Sequence, residues 1–286
     1  MTSSGVLVAS SLDEALGALA SSPSSLVLAG GTDLMVEMNM GHRRTDSVVC
    51  VNRVSELRSW RVDPAARTFF IGAAVTYAEL MEEPLASAVP ALAQAARTVG
   101  SPQIRHAATI GGNVGTASPA GDGLPVLSAL DAVVHLASVG GVRDVPFAEF
   151  ATGPKRTVLQ PGELIVGVTV PLLQGYQGYS KVGVRNAMVI ATASACLAVD
   201  VPSRSVRLAL GSVGPVILRA TAAEQLAASA ADFDGGAIDE SAVTEFAAAA
   251  AAASRPIDDH RSTASYRRRA IEVLAGRLLR RAFPNG

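Results

Sequence analysis

A chain of 286 residues with 49% hydrophobic and 17% charged residues and a formal charge of −1 has material for a large core, and for more than one domain. That balance excludes a disordered chain and argues against a surface built for nucleic acid or another polyanion. Two cysteines, Cys50 and Cys196, without a CxxC companion, build neither a disulfide framework nor a zinc or iron-sulfur site, and fit a reducing cytoplasm. No basic leader is evident and no run approaches the ~18 apolar residues of a membrane span, so a soluble, unprocessed chain is expected. The low charge with many alanines admits two readings, a compositional bias or a surface covered by other subunits.

In chain order, Ser11 is an N-cap candidate for an amphipathic helix over Leu12–Leu19. Ser25–Ala29 reads as a buried strand running into Gly30-Gly31, followed by a short helix over Leu34–Met40 and a strand over Ser47–Val51. Thr68–Gly72 is another strand, and Thr76 and Glu79 have capping-box spacing. Apolar periodicity predicts one helix from about Pro84 to Thr98, stopped at Gly100, and Thr109–Asp122 reads as a long loop. Val133–Ala137 and Val142–Val145 flank a Gly140-Gly141 hairpin signal, and Leu164–Val170 is a further strand. Beyond Pro171–Gly178, three strands (Tyr179–Val184, Ile190–Val201, Val206–Val213) read as an antiparallel meander. Helices follow over Pro215–Ser229, Glu240–Ala253 and Ser265–Phe283. The class is α+β, with a boundary placed in the loop after Pro171.

Two segments carry chemistry. Ala29-Gly30-Gly31-Thr32-Asp33-Leu34 follows a strand and is neither a GxGxxG fingerprint nor a GxxxxGK[ST] loop; it is either an ordinary glycine turn or a nest that points amides at an oxyanion. Thr109-Ile110-Gly111-Gly112-Asn113 opens a stretch through Thr116, Ser118 and Asp122 that is dense in glycine and small polar residues. Such density costs conformational entropy unless a ligand or the fold organises it. Two such segments about 80 residues apart suggest one diphosphate held from two sides. His42 and His106 lie near them without metal-ligand spacing, so no metal site and no catalytic acid/base residue is assigned. The arginines of the last helix, Arg267, Arg268, Arg269, Arg277, Arg280 and Arg281, read as a solvated face or a subunit contact.

AGGTDL, TIGGN, ASPAGD and Tyr179-Ser180-Lys181 together resemble the FAD subunit of the xanthine dehydrogenase and carbon monoxide dehydrogenase family, within the wider vanillyl-alcohol oxidase class of flavoproteins. The resemblance covers essentially the whole chain. It implies a two-subdomain FAD-binding module over residues 1–174 (about 1–55 and 56–174) and a C-terminal flavoprotein domain over 175–286, with a three-stranded antiparallel sheet and helices. Position by position, Leu28, Ala29, Gly30, Gly31, Thr32, Asp33 and Leu34 with Thr109, Ile110, Gly111, Gly112 and Asn113 would cradle the pyrophosphate. Thr116 and Asp122 match the phosphate-ribityl region, Val99 and Gly100 the adenosine, Ile165 an apolar contact, and Lys181 a position near the isoalloxazine. Lys181 is then either a group that stabilises anionic reduced flavin or a solvated strand lysine. Neither histidine near the loops matches a covalent flavin link, which implies noncovalent FAD.

The resemblance further implies an electron-transfer subunit beside a large molybdopterin subunit and a small subunit with two 2Fe-2S clusters, in a heterotrimer or its dimer. Electrons would leave for NAD, oxygen or a quinone, with a membrane involved only through such an acceptor. Thr32-Asp33 inclines the substrate towards xanthine or another N-heterocycle; a carbon monoxide dehydrogenase subunit and a free-standing FAD-dependent oxidoreductase are the alternatives.

Overall fold

The computed structural model describes residues 5–285. The chain divides into two compact units that are discontinuous in sequence. The first takes the described residues up to Leu80 with Ser101–Ala117 and Ala132–Pro171. The second takes Met81–Gly100, Ser118–Asp131 and the chain from Leu172 onward.

The first unit holds two main sheets. A parallel sheet orders Gly5–Val8, Ser47–Cys50 and Leu26–Leu28, with the middle strand last in sequence. Helix Leu12–Ser21, capped as expected by the Ser11 hydroxyl, buries Ala15, Leu16 and Leu19 in a core with Val49, Val51 and Leu57. A five-stranded antiparallel sheet orders Trp60–Asp63, Thr68–Gly72, Leu164–Pro171, Val133–Ser138 and Gly141–Pro146. The Gly140-Gly141 hairpin forms as expected, because a glycine supplies the φ of +127° at Gly141 that closes it.

In the second unit, Gln177–Val182, Ala193–Asp200 and Ser205–Gly211 form the expected meander, which gains a short fourth strand, Leu218–Arg219. Alternation along Ala193–Asp200 divides its two faces: Ala193, Ala195, Leu197 and Val199 join the core of the C-terminal helices, while Ser194, Cys196 and Ala198 are buried on the other side. Helices Pro90–Thr98 and Gly123–Ala129 pack against this sheet, which is why these two excursions from the N-terminal half belong to the C-terminal unit. No helix among the described residues is long and apolar enough to cross a membrane.

Three elements differ from expectation. The helix over Pro84–Thr98 is broken into Leu85–Ala88 and Pro90–Thr98, because the residue before a proline is driven from helical geometry and Val89 adopts φ −135°. The first C-terminal helix starts later than read: Thr221–Ala230 replaces Pro215–Ser229, since Leu218–Arg219 pairs with Ala209–Leu210. Thr109–Asp122 is not one loop but contains helix Ile110–Thr116, whose formation despite three glycines depends on the contacts described next.

Candidate functional site

Within the first unit the two glycine segments lie side by side. Strand Leu26–Leu28 is anchored by the Val51 amide, which donates to the Leu28 carbonyl at 2.9 Å, and delivers Ala29 to the turn. A Cβ on Gly30 would sit 1.8 Å from the Ala107 carbonyl oxygen and 2.5 Å from its carbon, so only glycine lets this backbone rest on the chain leading into Thr109. Gly31 has φ +71°, which turns the chain into helix Leu34–Asn39. Among the described residues the backbone N–H groups of Gly30, Gly31, Thr32 and Asp33 donate to no protein acceptor, and this loop is partly open to solvent. Four adjacent free donors on a turning backbone are what an oxyanion requires.

The second segment is built differently. Thr109 caps its helix by accepting from the Gly112 amide at 3.0 Å, while the Ile110 and Gly111 amides donate to the Val75 and Ala73 carbonyls at 3.0 and 2.9 Å. Its first amides are therefore engaged inside the protein. A Cβ on Gly111 would lie 2.5 Å from the Ala73 Cβ and 2.7 Å from the Ala73 oxygen, so this glycine is required by the approach of the helix to residues 73–77. Gly112, by contrast, is exposed, and a Cβ there would meet only the Thr109 hydroxyl, at 3.0 Å.

The unengaged donor of this segment is on the half-buried Asn113 side chain. Its Oδ1 accepts from the hydroxyl of Tyr77 at 2.7 Å, and its Nδ2 donates to no protein acceptor among the described residues. Ile165 is 7% exposed and packs beneath the helix, its Cδ1 lying 3.3 Å from where a Gly115 Cβ would be. Thr116 is partly buried at the helix end, beyond which Ala117 adopts a left-handed φ of +46° and its carbonyl accepts from the Lys155 amide. The Lys155 ammonium pairs with Glu37 on the helix after the first loop.

In the second unit, Asp122 and Lys181 meet in a buried ion pair. Lys181 Nζ lies 2.7 Å from Asp122 Oδ2, the side chains being 7% and 9% exposed, and also donates to the Thr98 carbonyl at 2.9 Å. The other carboxylate oxygen accepts from the Tyr179 hydroxyl at 2.8 Å, and the Tyr179 amide donates to Gln94. Lys181 is thus not a solvated strand lysine; it ties the meander to the end of helix Pro90–Thr98, next to Val99 and to Gly100 with its φ of +40°. Burial pushes the Asp122 carboxyl up, against the pull of the Lys181 charge, and pushes the Tyr179 phenol well up, reinforced by the neighbouring carboxylate. Both Asp122 oxygens are engaged, so any further hydroxyl would share them.

Tyr77, Gln94 and Thr98 were not among the residues expected from sequence, and Tyr179 entered only as part of the motif with Lys181, without a role at the site. For the tyrosines a signal exists in principle, since a buried phenol seeks a polar partner, but the partner's position is not local.

Residues 2–173 match the model for the FAD binding domain in molybdopterin dehydrogenase, and 179–282 match the CO dehydrogenase flavoprotein C-terminal domain. This chain belongs to that family of FAD subunits. It is 33% identical, over 93% of both chains, to the glyceraldehyde dehydrogenase medium chain of Sulfolobus acidocaldarius. It is also 33% identical, over 78% of both, to a putative xanthine dehydrogenase FAD-binding subunit of Escherichia coli. Among solved structures, carbon monoxide dehydrogenase from Hydrogenophaga pseudoflava lacking the Mo-pyranopterin moiety superposes with a TM-score of 0.86 at 29% identity, over 98% of this chain and 96% of that chain. The chain is accordingly an oxidoreductase subunit with FAD as its cofactor. The open amides of the first loop and the free Asn113 amide suit the diphosphate of such a dinucleotide.

Proposed function

We propose that this chain carries FAD as the electron exit of a molybdenum hydroxylase, receiving electrons from 2Fe-2S clusters of a small subunit and delivering them to NAD, oxygen or a quinone. When bound, FAD supplies exchange between one-electron and two-electron carriers. The observation that carries the reading is the pair of adjoining segments in the first unit, one with four free amides and one with a single unengaged side-chain amide. The amides of Gly30 to Asp33 and the Asn113 Nδ2 would hold the diphosphate oxygens, flanked by Leu28, Ala29, Leu34, Thr109, Ile110, Gly111 and Gly112. Thr116 and Asp122 are assigned to the phosphate-ribityl region, Val99 and Gly100 to the adenosine, Ile165 to an apolar contact and Lys181 to the neighbourhood of the isoalloxazine. Lys181 reaches any such neighbour with its charge already balanced by Asp122, so its role is a fixed donor more than a free cation.

Substrate oxidation is assigned to a large molybdopterin subunit, in a heterotrimer or its dimer in the cytoplasm. Residues 1–174 are taken as the FAD-binding domain and 175–286 as the C-terminal domain, in keeping with the two matched segments. Relatives named for glyceraldehyde, xanthine and carbon monoxide share 29–33% identity with this chain, so the flavin subunit tolerates changes of substrate. Thr32-Asp33 favours xanthine or another N-heterocycle over carbon monoxide. Native mass spectrometry of the assembly, with a substrate panel, tests the reading: a complex with molybdenum and iron-sulfur chains that oxidises a heterocycle is expected. A flavoprotein that oxidises substrate alone would overturn it.

A further inference from the structure

Resting on the placement of the FAD diphosphate above, we infer that Tyr77 is a positioning residue for that site, holding the Asn113 side chain so that its amide N–H faces the phosphate oxygens. Tyr77 is 1% exposed, and its backbone N–H donates to the Ala108 carbonyl at 3.0 Å, so the ring is fixed to the chain that leads into the second segment. The flanking Thr76 and Thr109 form an antiparallel bridge, and Thr76 is locked in turn by Glu79, which accepts from its amide and hydroxyl at 2.8 and 2.7 Å. From this platform the Tyr77 hydroxyl donates to Asn113 Oδ1 at 2.7 Å. An asparagine amide has an acceptor end and a donor end. With the acceptor end held by the phenol, the donor end is the one left over for a ligand, and Nδ2 has no protein partner among the described residues.

The consequence is preorganisation. An Asn113 side chain free to rotate would pay rotamer entropy on binding and spend part of its time offering Oδ1, which repels a phosphate oxygen. Tyr77 removes both costs before the ligand arrives.

The full chain, freed of flavin and titrated with FAD by fluorescence quenching, provides the test. Tyr77→Phe, which removes one oxygen and leaves the ring, is expected to raise the Kd for FAD about 3- to 10-fold, the worth of one well-placed neutral hydrogen bond. Asn113→Ala is expected to raise it at least as much, and the double variant no further than Asn113→Ala alone, because the Tyr77 hydroxyl acts on the ligand through Asn113. The 31P resonances of bound FAD should move in both single variants, a signature that general loosening of the fold would not produce while apo melting temperatures stay level.

Weakening by Asn113→Ala with wild-type affinity in Tyr77→Phe, or additive effects in the double variant, overturns the positioning role and leaves the diphosphate site standing. Wild-type affinity in Asn113→Ala overturns the diphosphate placement itself. Should Phe at this buried position impair folding, Asn113→Asp poses the same question. It keeps an acceptor for the Tyr77 hydroxyl and puts an anion where the donor was, so it must weaken FAD beyond Asn113→Ala; equal or tighter binding overturns the inference.

Discussion

The first and second glycine segments look alike in sequence and are opposite in structure. In the first, the backbone amides of Gly30 to Asp33 are free; in the second, those of Ile110, Gly111 and Gly112 are all engaged within the protein. Glycine serves a backbone approach in both, at Gly30 against Ala107 and at Gly111 against Ala73, and only the first segment adds a left-handed turn, at Gly31. A glycine-rich motif in a ligand-binding fold therefore does not mean that each glycine faces the ligand. Here two of the four hold the segments against their own scaffold, and the donor of the second segment left without a protein partner among the described residues is the Asn113 side-chain amide.

The comparison can be broken where the second motif is continued to Asp122, in the buried environment of the other unit. Lys181→Met would leave the Asp122 carboxylate buried without its counter-ion and is expected to cost about 3–5 kcal/mol, measured by urea unfolding at neutral pH. Because burial already raises the Asp122 pKa, losing Lys181 raises it further. The deficit should therefore be smallest below the ordinary aspartate range, where Asp122 is protonated in folded and unfolded chains alike, and should grow as pH rises through the folded-state value. A deficit below about 1 kcal/mol, flat with pH, would show a solvated pair.

Next come the scaffold glycines. Gly111→Val and Gly30→Ala drive a Cβ into neighbouring backbone and are expected to destabilise the flavin-free chain by about 1–3 kcal/mol or more, with FAD retention lost as a result. Gly112→Ala should do the reverse: unchanged apo stability within about 1 kcal/mol, since an exposed helical glycine gains propensity on this change, but weaker FAD. Thermal melts of the apo proteins beside FAD titrations separate the two, and equal behaviour of Gly111 and Gly112 variants would dissolve the distinction.

The smallest effect is at Glu37, whose bond from Lys155 holds its carboxyl below the usual range. Its contribution is present above the ordinary glutamate pKa and is lost as pH falls through the lower folded-state value. Lys155→Met should remove well under 1 kcal/mol of that acid-side slope, the lysine side chain being 54% exposed.

Much of this was legible in advance where the signal is local. Ser11 capping a helix, the Gly140-Gly141 hairpin and the helix from Glu240 to Ala253 all formed as read, because each is specified by residues within a turn or two. Helix Ile110–Thr116 was not, since its glycines argue against a helix and the support comes from Ala73 and Val75. The interrupted helix at Val89 is a different failure, in which apolar periodicity outweighed a proline that was in plain view.

By itself, then, the sequence determined the family, the two motifs and the α+β class, because patterning and motif order are carried along the chain. Only the tertiary structure decided which amides are free, that Gly111 serves Ala73, that Tyr77 holds Asn113, and that Lys181 is paired with Asp122. These contacts join residues 36 and 59 positions apart in the last two cases, and burial there sets the strength of each bond. Separation of that kind leaves no period in the chain to read, and a lysine's charge looks the same in sequence whether it faces water or a buried carboxylate.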